Sequence, residues 1–298
     1  MACKHVYVVT DGIPVLLDEG HQEIHDEVEH LVGQRAHGHK RAQAAFFDEA
    51  GASEFEITRP HGTPALYAWL LSEKLRRATQ GIEAVISGRE VLVVCGGSGM
   101  DAEFYARMGA RVISSDISLG AARRTVERAR RFGLEITAIV ADAERLPFAD
   151  RSMGVVAVHD GLHHLESPER SLAEMARVAA EAVSVTEPAD AAITALAVKL
   201  GLALDREEAG NRVARLDLDD VSALLSQQGF RIVRADRYLM YYGHVPGPVT
   251  RLLSRPIVLP LLQGSIRLLN WLAGRLGNKM VVVATRKRDR GQDGARAG

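Results

Sequence analysis

The chain has 298 residues, of which 47% are hydrophobic and 25% charged, and a formal net charge of -1. That length buries the core of one large domain, or of one domain with an appendage, and the charge balance argues against a broadly basic nucleic-acid-binding surface. Two cysteines imply no disulfide framework, no run reaches the ~20 apolar residues of a membrane span, and the first residues lack a secretory apolar region, so a cytoplasmic protein is expected.

In chain order, "HVYVVTDGIPVLL" predicts a short hairpin turning at Asp11-Gly12, and a polar, His-rich helix follows. Together they make an N-terminal appendage over 1–54. His21 and His25 share a helical face, but no well-spaced third ligand accompanies them, so no metal is expected. From about 60 to 236 strand-like runs alternate with amphipathic helices. The strand candidates are Val91–Val94, Arg111–Ser115, Ile136–Ala141, Val155–His159, Val183–Thr186 and Phe230–Ala235, and "MVVVATRK" closes the set. This alternation predicts a parallel α/β sheet with helices on both faces. The segment 243–279 interrupts it. No acid occurs from Leu239 through Lys287, while Leu-rich faces carry Arg251, Arg255, Arg267 and Arg275. Such a basic, apolar lid suits an anionic membrane surface or closure over a lipophilic ligand, against a homodimer contact or packing wholly on its own core. The tail 289–298 is charged and Gly-rich, a composition of disorder.

Chemistry concentrates after the first of these central strands. In "VLVVCGGSGM", Gly97 and Gly99 remove Cβ atoms where the backbone must turn tightly beside a nucleotide, with Ser98 between them. "GSGMDA" also satisfies the dinucleotide fingerprint, with Asp116 as the ribose acid, so an NAD(P)-dependent oxidoreductase competes. Further on, Asp142 falls at a strand end, where it can accept from an adenine amino group, and Leu146-Pro147-Phe148 can pack on the purine. A dehydrogenase has no need of that acidic-apolar loop, and no nicotinamide-handling acid or base is identifiable.

Taken in order, "VLVVCGGSG", "SSDIS", "ADAERLPFAD", "DGLHHL" and "SVTEP" resemble class I S-adenosylmethionine-dependent methyltransferases, of the group that includes ubiquinone/menaquinone-biosynthesis enzymes. The resemblance spans roughly 60–288. It implies a Rossmann-like, seven-stranded sheet whose last strand runs antiparallel beside "FRIVRADRY", in a domain over 55–288. S-adenosyl-L-methionine is the implied cofactor, held by Gly97, Ser98, Gly99, Asp116, Ile117, Asp142, Ala143 and His159. The chain departs from the family in having Val93 where an acid is usual and Cys95 where the first glycine is usual, which keeps a non-catalytic, cofactor-binding regulator as an alternative. "CKHVYVVTDGIPVLL" resembles the end of a zinc-ribbon-like segment, but with Cys3 alone no zinc is expected.

Methyl transfer needs positioning, exclusion of water and, for an oxygen nucleophile, a base. His163 and His164 are the candidate bases, and Tyr241, Tyr242 and His244 the candidate acceptor contacts. The expected function is methyl transfer to a small, apolar or lipid-like acceptor, with oxygen slightly favoured over carbon.

Overall fold

A computed structural model describes residues 7–17, 39–49, 54–190 and 216–287. His21, His25, Cys3 and the tail 289–298 lie outside the described residues. Val8–Thr10 (β1) and Ile13–Val15 (β2) form the expected hairpin. Asp11 and Gly12 both take positive φ, 53° and 80°, as a two-residue turn matching strand twist requires. Helices His39–Glu49 (α1), Glu54–Thr58 (α2) and Ala65–Thr79 (α3) come next.

The alternating region then runs Glu90–Val94 (β3), Met100–Arg107 (α4), Arg111–Asp116 (β4), Leu119–Phe132 (α5), Ile136–Val140 (β5), Met153–His159 (β6), Pro168–Val178 (α6) and Ala179–Pro188 (β7). Leu218–Gln227 (α7), Phe230–Tyr238 (β8), Pro248–Leu253 (α8), Val258–Ala273 (α9) and Lys279–Arg286 (β9) complete it. The ends of α5 follow from its sequence. Ser118 caps its N-terminus by accepting from the Ala121 N–H (2.9 Å), and Gly133 stops it in the left-handed region at φ 64°.

The sheet order is β1-β2-β5-β4-β3-β6-β7-β9-β8. Strands β3 to β7 are parallel to their neighbours among themselves, and β9 runs antiparallel between β7 and β8. The antiparallel last strand is where it was expected. The strand count is not: the sheet has nine strands, because β2 pairs with the edge of β5 through Val15 and Val140 and brings β1 with it. An apolar Ile-Pro-Val run beside an unpaired strand edge finds both its backbone partners and its cover there.

Side chains of β3 alternate between two cores. Leu92 and Val94 join Val156, Val183 and Met280 under α6 and α7, while Val91 and Val93 join Val155, Val281 and Tyr105 under α3 and α4. A buried Val or Leu in such a layer contributes about 1.5–3 kcal/mol. The chain reverses direction across the sheet at β3, with β4 and β5 on one side and β6 and β7 on the other. Ligands bind outside the carboxyl ends of the strands at such a switch point.

The segment after β8 is anchored by two asparagines. Asn270 accepts from the Leu239 N–H (2.8 Å) and donates to its carbonyl (3.0 Å), and Asn278 does the same for Met240. Leu259, Leu262 and Ile266 of α9 pack on the core, but Ile257 (84%), Leu261 and Trp271 (80%) are exposed. α9 is therefore apolar on both its inner and its outer side.

Candidate active site

A cavity of about 360 Å³ opens at the switch point, within the range of small-molecule sites. Its floor is the β3–α4 loop. Cys95, Gly97 and Gly99 have φ of 54°, 53° and 77°. Glycine takes that conformation without cost; Cys95 is a non-glycine exception in the left-handed region. A Cβ on Gly99 would come within 2.9 Å of the Thr125 side chain, so this residue caps α4 and packs on α5. Gly99 does not line the cavity, whereas Gly97 and Ser98 do. Around Gly97 no atom would meet a Cβ, so it leaves a bare backbone facing the space.

No acid stands at position 93, and the loop is held by donors to its carbonyls from α5. Val93 is fully buried in the core. The loop is held by Thr125, whose hydroxyl donates to the Gly97 carbonyl (3.1 Å), and by Arg128, whose Nε donates to the Ser98 carbonyl (2.8 Å). Arg128 is 0% exposed. It also donates to the carbonyls of Arg59 (2.8 Å) and Glu56 (2.7 Å) and to Glu103 Oε2 (2.7 Å). It ties the glycine loop to the segment between α2 and α3.

Asp116 ends β4. Its Oδ2 accepts from the Gly97 N–H (2.9 Å) and its Oδ1 from the Ser118 N–H (3.0 Å). Burial pushes its carboxyl above the ordinary range, and these two backbone donors pull against the rise. Each oxygen keeps a lone pair for a ligand hydroxyl. Ile117 lines the same edge, as do Asp142 and Ala143 at the end of β5. Asp142 already has a cation on it: Lys40 of α1 donates to its Oδ2 (2.7 Å) and approaches Glu144 (3.0 Å). Desolvation would lower the Lys40 ammonium, but these carboxylates hold it above the usual value. Leu146 and Phe148 do not face the cavity and belong to the core beneath it, because the loop's apolar residues gain more by joining the packed layer of Met175 and Leu172.

The wall at the end of β6 carries the histidines. His159 faces the cavity with its Nδ1 2.9 Å from Asp101 Oδ1, and its Nε2 is buried without a partner. His163 is buried with Nδ1 2.7 Å from Glu187 Oε2. Glu187 also accepts from the N–H groups of Gly161 and Leu162 (2.8 Å each), so it fixes the turn as well as the ring. His164 lines the cavity and meets the ring of Phe47 edge-on at 5.4 Å. Phe47 belongs to α1, which covers the cavity from above. Asp48 pins that helix by accepting from the Ser118 hydroxyl (2.6 Å) and the Gly120 N–H (2.7 Å).

Of the residues expected at the acceptor end, Tyr242 and His244 line the cavity. Tyr241 does not: it is 82% exposed, on the opposite side of an extended segment from its neighbour. His244 Nε2 lies 2.7 Å from Glu56 Oε1. Beside Tyr242 stand Lys74, Asp160 and Lys279, none of them singled out as a site residue from sequence. Asp101 is marked in the sequence by its place after the glycine loop, but Lys40, Lys74, Arg128 and Lys279 carry no local signal. Burial pushes the Cys95 thiol well above its usual value, helped by Asp116 and Glu187, and its side chain packs partly against the core below the cavity it lines.

The surroundings of this cavity match known proteins. Residues 92–182 match the family model described as a methyltransferase domain, a span that includes the glycine loop, Asp116, Asp142 and the histidine turn but not α1 or the segment 243–279. A demethylmenaquinone methyltransferase of Thermobifida fusca is 40% identical over 106 residues, which are 35% of this chain and 44% of that protein. A ubiquinone/menaquinone biosynthesis C-methyltransferase, UbiE, of Bordetella parapertussis is 36% identical over 116 residues, 37% of this chain and 45% of that one. The chain spans about half the length of the curated relatives it matches. The crystal structure of magnesium protoporphyrin IX methyltransferase from Synechocystis superposes with a TM-score of 0.56 at 16% identity, over 84% of this chain and all of that one. The fold is thus the Rossmann-like class I methyltransferase fold, as the ordered motifs implied.

Proposed function

We propose that this chain transfers a methyl group from S-adenosylmethionine to a small, apolar acceptor in the cavity at the switch point. One observation carries the reading: a left-handed glycine loop, the Asp116 carboxylate and the buried, unpaired Nε2 of His159 meet on one cavity wall. An orphaned buried nitrogen is costly, and a polar ligand in this space would relieve it. The residues present therefore fit the cofactor. Gly97, Ser98, Gly99, Asp116, Ile117, Asp142, Ala143 and His159 would hold it, Gly99 by shaping the loop from behind. When bound, S-adenosylmethionine supplies a methyl group on a cationic sulfur, already activated for displacement.

The chain's own residues do the rest. α1 excludes water from above through Phe47, and Lys40 neutralises Asp142 beside the expected adenine position. The proton of an acidic acceptor passes to an imidazole of the β6 wall. His163 and His164 are the imidazoles given that role, while His159, held by Asp101 at its Nδ1, is left to the cofactor. Likeness to a demethylmenaquinone methyltransferase and to a C-methyltransferase of ubiquinone/menaquinone biosynthesis favours a carbon acceptor on a quinone-like compound. Methylation of oxygen is the second reading, favoured by the histidine cluster of His163 and His164 at the cavity. The basic, acid-free segment 243–279 is assigned to an anionic membrane surface, with a second copy of the chain as the competing occupant.

Calorimetric titration with S-adenosylmethionine, S-adenosylhomocysteine and NAD(H) tests the core of this. The first two are expected to bind, and Asp116→Ala to weaken them about 10–100-fold, the worth of hydrogen bonds to a charged group. Binding of NAD(H) instead would overturn the reading. Cofactor binding with no turnover on any quinol or phenol would transfer the chain to the regulator class.

A further inference from the structure

Lys74, on α3, has a side chain that is 0% exposed. Its ammonium donates to Asp160 and to the Tyr242 hydroxyl (3.0 Å). Lys279, the first residue of β9, donates to both oxygens of the same carboxylate, at 3.1 and 3.2 Å. Asp160 lies just past β6, and it, Tyr242 and Lys279 all line the cavity. Two cations therefore share one carboxylate. Burial would raise the Asp160 carboxyl, but Lys279 and Lys74 hold it well below the usual range; with two lysines on one carboxylate the cluster counts one more cation than anion.

Elsewhere on the wall each anion has a donor on it and, among the described residues, no second lysine or arginine bonded to it, and Lys40 is itself shared by Asp142 and Glu144. Lys40 sits on Asp142, His159 on Asp101, Arg59 on Glu56, and Asp116 accepts two backbone N–H groups. A buried ammonium without its full complement of partners is costly, and donors remain to be used here. An ammonium has three N–H groups, and Asp160 occupies at most two of those on Lys279. Tyr242 accepts from Lys74 and keeps its own O–H to donate.

We propose that Lys279 and Tyr242, backed by Lys74 and Asp160, bind an anionic oxygen of the methyl acceptor, the ionised hydroxyl of a phenol or enol. This rests on the methyltransferase reading of the same cavity. A cation beside such a hydroxyl favours its ionised form. The hydroxyl proton would pass to an imidazole of the β6 wall, and the charge delocalises onto the ortho carbon. That carbon would form its bond to the methyl as the bond to sulfur breaks and a neutral thioether leaves; the proton that this carbon then sheds to restore the ring returns to the oxygen. The cluster thus selects acceptors with an acidic hydroxyl over neutral alcohols and amines.

The probe is 4-nitrophenol, whose phenolate is read by its visible absorbance, titrated against protein saturated with S-adenosylhomocysteine. The bound probe is expected to ionise about one pH unit lower than the free one. Lys279→Met should abolish that shift with S-adenosylhomocysteine affinity kept within about twofold, and Lys279→Arg should retain most of it. Asp160→Asn discriminates further: it removes the competing anion and should deepen the shift, whereas a merely structural cluster would lose it. Thermal melts confirm that each variant is folded. No shift in the wild type overturns the inference alone, provided S-adenosylhomocysteine binds; if it does not bind, the parent reading falls first. A Lys279→Met protein that loses S-adenosylhomocysteine tenfold and leaves the probe unchanged would also overturn it, by assigning these cations to the cofactor's own carboxylate.

Discussion

Replacing Arg128 with methionine keeps most of the side chain's volume and deletes its guanidinium. Four acceptors then lose their donor: the carbonyls of Ser98, Arg59 and Glu56, and Glu103 Oε2. Glu103 is not left bare, because His61 and Arg107 remain on its Oε1 at 2.7 Å each. Breaking a buried ion pair from one side costs about 3–5 kcal/mol, and each stranded carbonyl about 1–3 kcal/mol. These terms do not add, since the 56–59 segment can lift and admit water. A net loss of about 3–5 kcal/mol is expected, which for a chain of this size lowers Tm by roughly 10 °C. The Ser98 carbonyl belongs to the glycine loop, so S-adenosylhomocysteine affinity should fall at least about tenfold, or ~1.4 kcal/mol. Arg128→Lys keeps the charge but cannot reach all four acceptors, and should fall between. Circular-dichroism melts and calorimetry on the three proteins measure both effects. A Tm within about 2 °C of the wild type, with unchanged affinity, would refute the role given to this residue.

Three other outcomes follow from the same contacts. A Cβ on Gly161 would lie 2.4 Å from the Cβ of Cys95, so Gly161→Ala should cost about 1–3 kcal/mol by overpacking; in a Cys95→Gly background urea unfolding should show most of that cost removed. Glu56 and Glu103 are held below the ordinary carboxylate range, because His244 and Arg59 on the one and Arg107, Arg128 and His61 on the other outweigh the desolvation that would raise them. Groups depressed in the folded state contribute stability above their unfolded pKa, near about 4.3, and lose it as pH falls through the folded value. The urea midpoint should therefore drop from about pH 5 toward pH 3, less steeply in Arg128→Met, and parallel profiles would count against the pairing. Sedimentation with phosphatidylglycerol-containing vesicles should carry the protein down, less so in high salt, and Ile257→Glu with Leu261→Glu should release it. Vesicle-independent dimers seen by light scattering would assign α9 to a second copy instead.

The ordered motifs of the central sheet could be read from sequence because each is a local event. A strand that is buried on both faces is a continuous apolar run, as in Val91–Val94. A left-handed turn asks for glycine, as at Gly97 and Gly99. The ribose acid must end the next strand, where Asp116 stands. The hairpin at Asp11-Gly12 was visible for the same reason, but its attachment to β5 was not, since Val15 and Val140 are paired only after the chain has closed.

What could not be read is the partnership of charges. In "SEKLRRA" Lys74 looks like one more solvated cation on a helix, yet it is buried against Asp160, 86 residues away. Lys40 reaches Asp142 across 102 residues and Lys279 reaches Asp160 across 119. Arg128 sits in a run of arginines, "RRTVERARR", of which it alone turns fully inward. Periodicity and turn chemistry act over a few residues and leave their mark in the order of the letters. An ion pair acts through space, and the same Lys or Arg is written whether it meets water or a carboxylate, so its role is assigned only when the packing of helices against the sheet removes the water.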